Sequence, residues 1–385
     1  MTRLVKRILY MQYTNPAAYP PLLHSSRILA DQGWKVRFLG TGADGANDLE
    51  VPVHENITTL KIPFAPPGWR QKLHFAFYHL WVVFVALLWR PNWIYAADFL
   101  SCPSALFLKL LGFHVAYHEH DSPTQVSDSA FQGVLLAGRR VLSRKADFCV
   151  VPNEARGELL KTATATSRPI CIVRNCALRS EVQSRNRGPD DTEVLKLFYH
   201  GSIVPARIPI AIIEAMASLP NKVVLTIAGY PTVGHPNYRN ALKREAAERG
   251  IEDDVHFLGP VPDRAVLLRH CREATVGLAL MPMDARDANE QTMLGASNKP
   301  FDYMACGLAL LVSRLPDWEA QYVSRGFGRS CDPSSPESVA EALRWFIKHP
   351  EETNKAREYA REQIKRCWNY ETEFTPVLDR LSADR

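Results

Sequence analysis

Residues 297–307 read Ser-Asn-Lys-Pro-Phe-Asp-Tyr-Met-Ala-Cys-Gly, and the apolar run Leu-Ala-Leu-Leu-Val follows at 308–312. Pro300 suits the first position of a helix, where a missing N–H costs nothing. Gly307 suits the position just past its end. The spacing predicts a short helix over about 300–306, leading into a buried strand. Backbone N–H groups at a helix start attract anions, and Lys299 adds a full positive charge there. Asp302 lies one turn in. It either caps its own helix and interacts with the dipole, or reaches a hydroxyl group of whatever the helix start holds. A diphosphate on Lys299 and the N–H groups, with a ribose hydroxyl on Asp302, would satisfy all three features.

Two other stretches carry chemistry-bearing residues. Residues 197–207, Leu-Phe-Tyr-His-Gly-Ser-Ile-Val-Pro-Ala-Arg, read as a strand ending at Gly201 and a helix beginning near Ala206. Gly201 permits a tight turn, and Arg207 puts a guanidinium where phosphate oxygens would be welcome; alone, it reads equally as a solvated arginine. Residues 117–121, Tyr-His-Glu-His-Asp, follow another predicted strand. His118 and His120 are two apart and so share one face of extended chain. They read as a hydrogen-bonded structural pair or as groups facing a ligand.

The elements that must position these residues alternate along the chain. Strand-like runs at 7–13, 35–40, 93–97, 114–120, 148–152 and 170–174 are separated by helical patterns at 18–32, 72–89, 101–111, 129–145 and 154–162. A polar, aperiodic stretch at 180–194 reads as a linker. The alternation then restarts, with strands at 196–201, 222–228, 254–259, 276–281, 308–313 and 328–331. Such βα alternation predicts α/β architecture: two doubly wound parallel sheets in tandem, facing across a cleft. Ligands of such sheets sit at the carboxyl ends of the strands.

The bulk properties narrow the function class. At 385 residues with 46% apolar content, the chain can build two cores. Residues 1–180 hold 20 Lys/Arg against 12 Asp/Glu, whereas residues 181–385 hold 26 against 29. A basic front half suits phosphate groups or a membrane surface. Nucleic acid is not expected, because the basic residues are scattered without a basic–aromatic stripe. The eight cysteines form no Cys-x-x-Cys and mostly sit in apolar runs, as reduced cytosolic cysteines do. The N-terminus lacks the apolar core of a signal peptide, so a cytoplasmic protein is expected. Residues 74–89 are apolar nearly all round and flanked by Arg70, Lys72 and Arg90. At 16 residues the run is short for a span, which needs roughly 20. It reads as a packed helix or as one that dips into a membrane surface.

Taken together, these stretches resemble the family 4 retaining glycosyltransferases (glycosyl transferases group 1), which have the GT-B fold. Phe301-Asp302-Tyr303-Met304-Ala305-Cys306-Gly307 is similar to the family's Phe-Glu-Tyr-Met-Ala-Ala-Gly-like motif. Gly201-Ser202 and Arg207-Ile208 occupy the places of its Gly-Arg and Lys-Gly. Residues 225–229, 255–259 and 367–371 are similar to further family segments, and so are 146–154 and 173–175. The resemblance is specific in the second half and weak over residues 1–115. It implies an N-terminal acceptor domain over 1–182, a nucleotide-sugar domain over 195–365, and a last helix over 366–385 that returns to the first domain. It implies that Arg207 and Lys299 neutralise a donor diphosphate of UDP or GDP type. Asp302 would hold the ribose, Gly229, Tyr230 and Val261 would border the base, and the loop 283–297, through Gly295 and Ser297, with Asn298 just after it, would offer groups to the sugar. His120 would stand beside the transferred sugar, with His118 the second candidate and Asp121 next to them. No cofactor is implied, and no metal, since the chain has no Asp-x-Asp pair to hold one.

Three positions depart from the family pattern. The first glutamate of the family's pair is Leu294, the second is the shorter Asp302, and the arginine after the first glycine is Ser202. The expected activity is transfer of a sugar to a glycan or lipid-linked acceptor, in envelope, exopolysaccharide or glycoconjugate synthesis, with peripheral attachment to the cytoplasmic membrane. A nucleotide-sugar-binding partner protein and a GT-B epimerase or phosphorylase are the alternatives.

Overall fold

Short runs of β-branched and aromatic residues alternate with helices and pair into two wholly parallel sheets in this computed structural model, which describes residues 5–43, 47, 49–123, 130–183, 194–219, 223–232 and 234–383. Most of the linker expected at 180–194 lies outside the described residues. The first sheet is built from β1 (Arg7–Met11), α1 (Pro20–Asp31), β2 (Lys35–Thr41), β3 (Ile57–Ile62), α2 (Trp69–Trp89), β4 (Trp93–Ala97), α3 (Cys102–Leu110), β5 (His114–His118), α4 (Ala130–Lys145), β6 (Phe148–Val151), α5 (Glu154–Thr164) and β7 (Ile170–Ile172). Its order is β3-β2-β1-β4-β5-β6-β7. The central strands are buried on both faces, as helix-covered parallel strands must be.

Sequence reading missed β3. Its Ile-Thr-Thr-Leu-Lys-Ile breaks the apolar–polar alternation at the paired threonines and is half exposed, because it sits at the sheet edge with a single partner, β2. The strand order also fixes where the helices go. From β3 through β7 the crossovers all run in one direction across the sheet, so right-handed connections place α2, α3, α4 and α5 on one face. In agreement, α2 packs on α3, α3 on α4 and α4 on α5. The connection from β1 to β2 runs the other way, which puts α1 on the opposite face.

The second sheet uses β8 (Leu195–Ile203), α6 (Ala211–Ala217), β9 (Val223–Pro231), α7 (Tyr238–Glu248), β10 (Val255–Gly259), α8 (Arg264–Arg272) and β11 (Val276–Ala279). After the short α9 (Ala288–Gln291) it continues with α10 (Lys299–Ala305), β12 (Ala309–Ser313), α11 (Pro316–Trp318), β13 (Gly328–Cys331), α12 (Pro336–Lys348) and α13 (Pro350–Arg366). The strand order is β10-β9-β8-β11-β12-β13. Its core joins Leu197, Ile227, Leu278 and Leu311 to Ile212 and Leu343 of the covering helices. The last helix is α14 (Tyr370–Ser382).

Two compact units result. One comprises 1–175, 287–296 and 370–385; the other comprises 176–286 and 297–369. The segment around α9 therefore belongs with the first unit, although the sequence pattern groups all of 195–365 as one domain. The helix expected from about Ala206 begins instead at Ala211, as α6. Pro205 and Pro209 flank the intervening turn, and a proline disfavours helical backbone in the residue before it. Arg207 and Ile208 fold back onto the Val204 carbonyl. Arg207 thus stands in a turn and not at a helix start.

Candidate active site

In the second unit, the candidate donor residues gather at the carboxyl ends of β8, β9 and β11. Gly201 and Gly229 are register partners on β8 and β9. A Cβ at Gly229 would lie 1.9 Å from the Gly201 carbonyl oxygen, so the strands can approach this closely only with glycine there. Gly201 itself has φ +115°, and a Cβ on it would lie 3.0 Å from Lys299 Nζ. Two glycines thus clear the strand ends, and the Lys299 side chain lies over the cleared surface. Lys299 Nζ is 5.7 Å from the centre of the Tyr199 ring.

Arg207 reaches the same place from the turn after β8, with Nη1 2.8 Å from Met281 Sδ beyond the end of β11. Among the described residues, no carboxylate lies within ion-pair distance of Lys299. Burial, and then the Arg207 charge, push the Lys299 ammonium down to about 8, against the attraction of Asp302. Two cations held together in this way form a site for an anion with charge on more than one oxygen. Ser202 sits opposite Tyr230 in the β8–β9 register and accepts a hydrogen bond from Tyr199 through its carbonyl. Tyr230 and Val261 are both half-buried, at the end of β9 and just past β10 respectively.

Asp302 is fully buried one turn into α10. Arg264 Nη2 donates to its Oδ1 at 2.6 Å, Asn298 Nδ2 donates to its Oδ2 at 2.8 Å, and His200 Nε2 lies 3.3 Å from Oδ2. Burial alone would raise this carboxyl; the Arg264 charge and then His200 outweigh it and bring it down to about 2. Arg264 is held in turn by Glu181, at 2.5 and 2.9 Å. The ribose role implied for Asp302 therefore meets a carboxylate enclosed by protein partners. With one methylene fewer than glutamate, it stays within reach of Arg264. Sequence reading missed Arg264, Glu181 and His200. A signal was available: Arg264 opens α8 directly after its cap, Asp263, and a cation at a helix start is opposed by the dipole unless an anion is near.

The first unit carries the histidines. β5 ends at His118, whose Nδ1 lies 2.8 Å from the Tyr95 hydroxyl. The His118 and His120 rings are 3.8 Å apart, and Tyr19 covers His120 at 5.3 Å. His120 is 5% exposed, and neither of its ring nitrogens has a hydrogen-bond partner among the described residues. Burial, with help from Arg156 and against Asp121, lowers its pKa to about 4. It is a neutral imidazole at physiological pH, able to donate or accept one hydrogen bond at a sugar hydroxyl. Asp121 lies to the side, exposed, with Oδ1 2.9 Å from the buried Arg156 Nη1.

The surrounding frame was not visible in the sequence. Glu119 takes a two-pronged hydrogen bond from Arg139 at 2.6 and 2.7 Å, and one from the Tyr117 hydroxyl. Arg156 also donates to the His120 carbonyl, and through Nη2 to the Asn289 carbonyl at 3.1 Å. Asn153 Nδ2 donates to the carbonyls of Thr292 and Leu294 at 2.7 Å. These bonds tie the segment 287–296 to the first unit. Gly295, at φ +77°, packs on Arg174 and Pro152 there, while Ser297 and Asn298 belong to the second unit.

Asp98, directly after β4, also joins this site. Its Oδ1 accepts the His120 backbone N–H at 2.9 Å, and its Oδ2 accepts Gln12 Nε2 at 3.1 Å. Its backbone has φ 61° and ψ 166°, a conformation left almost entirely to glycine and retained chiefly where function requires it. Burial, then Asp121, raise its carboxyl to about 7.

Comparison with known proteins places the chain. A family model described as glycosyl transferases group 1 matches residues 181–363, and one described as glycosyl transferase 4-like domain matches residues 22–176. No curated protein matches the sequence. Among solved structures, a sucrose-phosphate synthase from Thermosynechococcus elongatus superposes with a TM-score of 0.72 at 16% identity, over 97% of this chain and 98% of that one. Anabaena HepE in complex with UDP and glucose superposes with a TM-score of 0.71 at 16% identity, over 98% and 100%. An E. coli trehalose-6-phosphate structure bound with UDP-2-fluoro glucose gives 0.71 at 14% identity, over 99% and 100%. With two Rossmann-like α/β domains and these matches across both halves, the chain belongs to the glycosyltransferases of GT-B fold.

Proposed function

We propose that the enzyme moves a hexose from a nucleotide-diphosphate sugar of UDP or GDP type to a glycan or lipid-linked acceptor, with retention of configuration and without a metal. We place it in the cytoplasm, in cell-envelope, exopolysaccharide or glycoconjugate synthesis. The observation that carries this reading is the Lys299–Arg207 pair over the glycine-cleared ends of β8 and β9. Breaking the glycosyl–phosphate bond leaves negative charge on the diphosphate, and preorganised cations stabilise it as it develops. Lys299 and Arg207 supply the positive charge that a metal supplies elsewhere. Gly229, Tyr230 and Val261 border the base. Asp302 serves the ribose end of the donor site from within its pair with Arg264, and Asn298, held by Asp302, stands at its rim. His120 meets the sugar, with the fully buried His118 packed against its ring and Asp98 and Asp121 setting its position. The UDP bound in the Anabaena structure supports the donor class.

Thermal unfolding with UDP, GDP, ADP and CMP at millimolar concentration tests the proposal. A ligand at 100 times its Kd stabilises the native state by about 2.7 kcal/mol. One nucleotide diphosphate should raise the midpoint of the wild type and leave Arg207→Ala unmoved. If none shifts the wild type, the donor site is not where Lys299 and Arg207 meet.

A further inference from the structure

The outer side of the helical layer on the first sheet is apolar where water would meet it. α2 buries Phe75, Tyr78, Val82 and Ala86. Its other side exposes Leu73, Phe77, Leu80, Phe84, Leu87 and Leu88, each at least 46% accessible. These residues recur at three- and four-residue spacing, so they form one stripe along the helix. Next to it, α3 exposes Phe107, Leu110 and Leu111, and α4 exposes Val134 at 67%. A surface helix of a soluble domain shows polar residues there. An apolar surface that spans several helices marks an interaction site.

The charge pattern says what covers it. α2, α3 and α4 contain no Asp or Glu. Arg70 and Lys72 lie exposed at the start of α2, Arg90 just past its end, and Arg140, Arg144 and Lys145 on α4. A second copy of the chain is a poor fit, because a two-fold contact would set basic residues against basic residues with no acid on these helices to pair them. An anionic lipid surface fits both features: acyl chains accept the stripe, and headgroup phosphates accept the flanking cations. The Tyr78 hydroxyl donates to the Leu39 carbonyl, and His79 Nδ1 lies 2.6 Å from Ser104 Oγ. These contacts, with the buried Phe75, Tyr78, Val82 and Ala86, hold one side of α2 against the protein and leave the opposite side for the membrane surface.

We propose that α2, α3 and α4 form a docking face for an anionic bilayer, with the exposed stripe of α2 at the boundary between headgroups and acyl chains. The proposal rests on these three helices and is independent of the transfer reaction. Sedimentation of the full chain with phosphatidylcholine vesicles, with and without phosphatidylglycerol, tests it. The chain should pellet with the phosphatidylglycerol vesicles and prefer them by about tenfold. The double variant Leu80→Glu, Phe84→Glu should stay in the supernatant with an unchanged circular dichroism spectrum; both positions are exposed, so the fold does not depend on them. Arg140→Glu with Lys145→Glu should reduce the preference for anionic vesicles. Absence of pelleting with both vesicle types, or equal pelleting of wild type and double variant, overturns the proposal. So does a dimer in sedimentation equilibrium that Leu80→Glu dissociates while vesicles bind nothing.

Discussion

In the proposed donor site, Lys299 is the residue on which binding should depend most. Its pKa is pushed down to about 8, by burial first and then by Arg207, so above that pH it loses its charge in the free protein. An arriving diphosphate favours the charged form. Binding should therefore be strongest below pH 8 and weaken as pH rises through it. Calorimetric titration of UDP between pH 7 and 9 should show the apparent Kd rising, whereas Lys299→Arg, which stays charged, should flatten the dependence. Equal slopes in the two proteins would remove Lys299 from the site. Asp302 was legible as an acid at a helix start, but the ion pairs around it were not, because Arg264 and the Glu181 that holds Arg264 lie 38 and 121 residues upstream of it.

At the scale of elements, the proposed donor site depends on two strand ends that almost touch. A methyl group at Gly229 would fall 1.9 Å from the Gly201 carbonyl oxygen, a distance that backbone alone cannot relieve without separating β8 from β9. Gly229→Ala should cost about 1–3 kcal/mol in urea unfolding and abolish the nucleotide-induced thermal shift. Gly33→Ala is the control. Gly33 has φ +86°, and a methyl group there would meet nothing within 4 Å, so only local strain of about 1 kcal/mol is expected, with the thermal shift intact. The reverse result, with binding lost at Gly33, would contradict this account. The sequence marked Gly201 as a turn glycine, and Gly229 entered only through the family resemblance; their facing register appears only once β8 and β9 pair.

Over the whole molecule, the chain passes between the two units four times, after residues 175, 286, 296 and 369. α14 is the last element made, yet it completes the first unit. Its Tyr370, Phe374, Val377 and Leu381 are buried, and Glu373 holds Arg174 at 2.7 Å. The first core therefore closes only when the C-terminus is present. Phe374→Ala should destabilise the protein by about 3–5 kcal/mol, read as a lower midpoint in urea. The nucleotide should still bind, because α14 contributes no residue to the second unit. Loss of binding with an unchanged midpoint would contradict that division of roles.

By itself, the sequence determined the parallel α/β architecture, the position of nearly every strand, and the candidate donor residues. These follow from local apolar periodicity, glycine and proline placement, and short motifs, all of which are written in neighbouring residues. Only the tertiary structure decided that α9 belongs to the first unit, that Arg207 stands in a turn, that Asp302 is enclosed by Arg264, and that Asp98 braces His120. Each of these rests on contacts between residues far apart in the chain, or on which face an element presents. Burial and pairing settle such matters, and local sequence does not encode them.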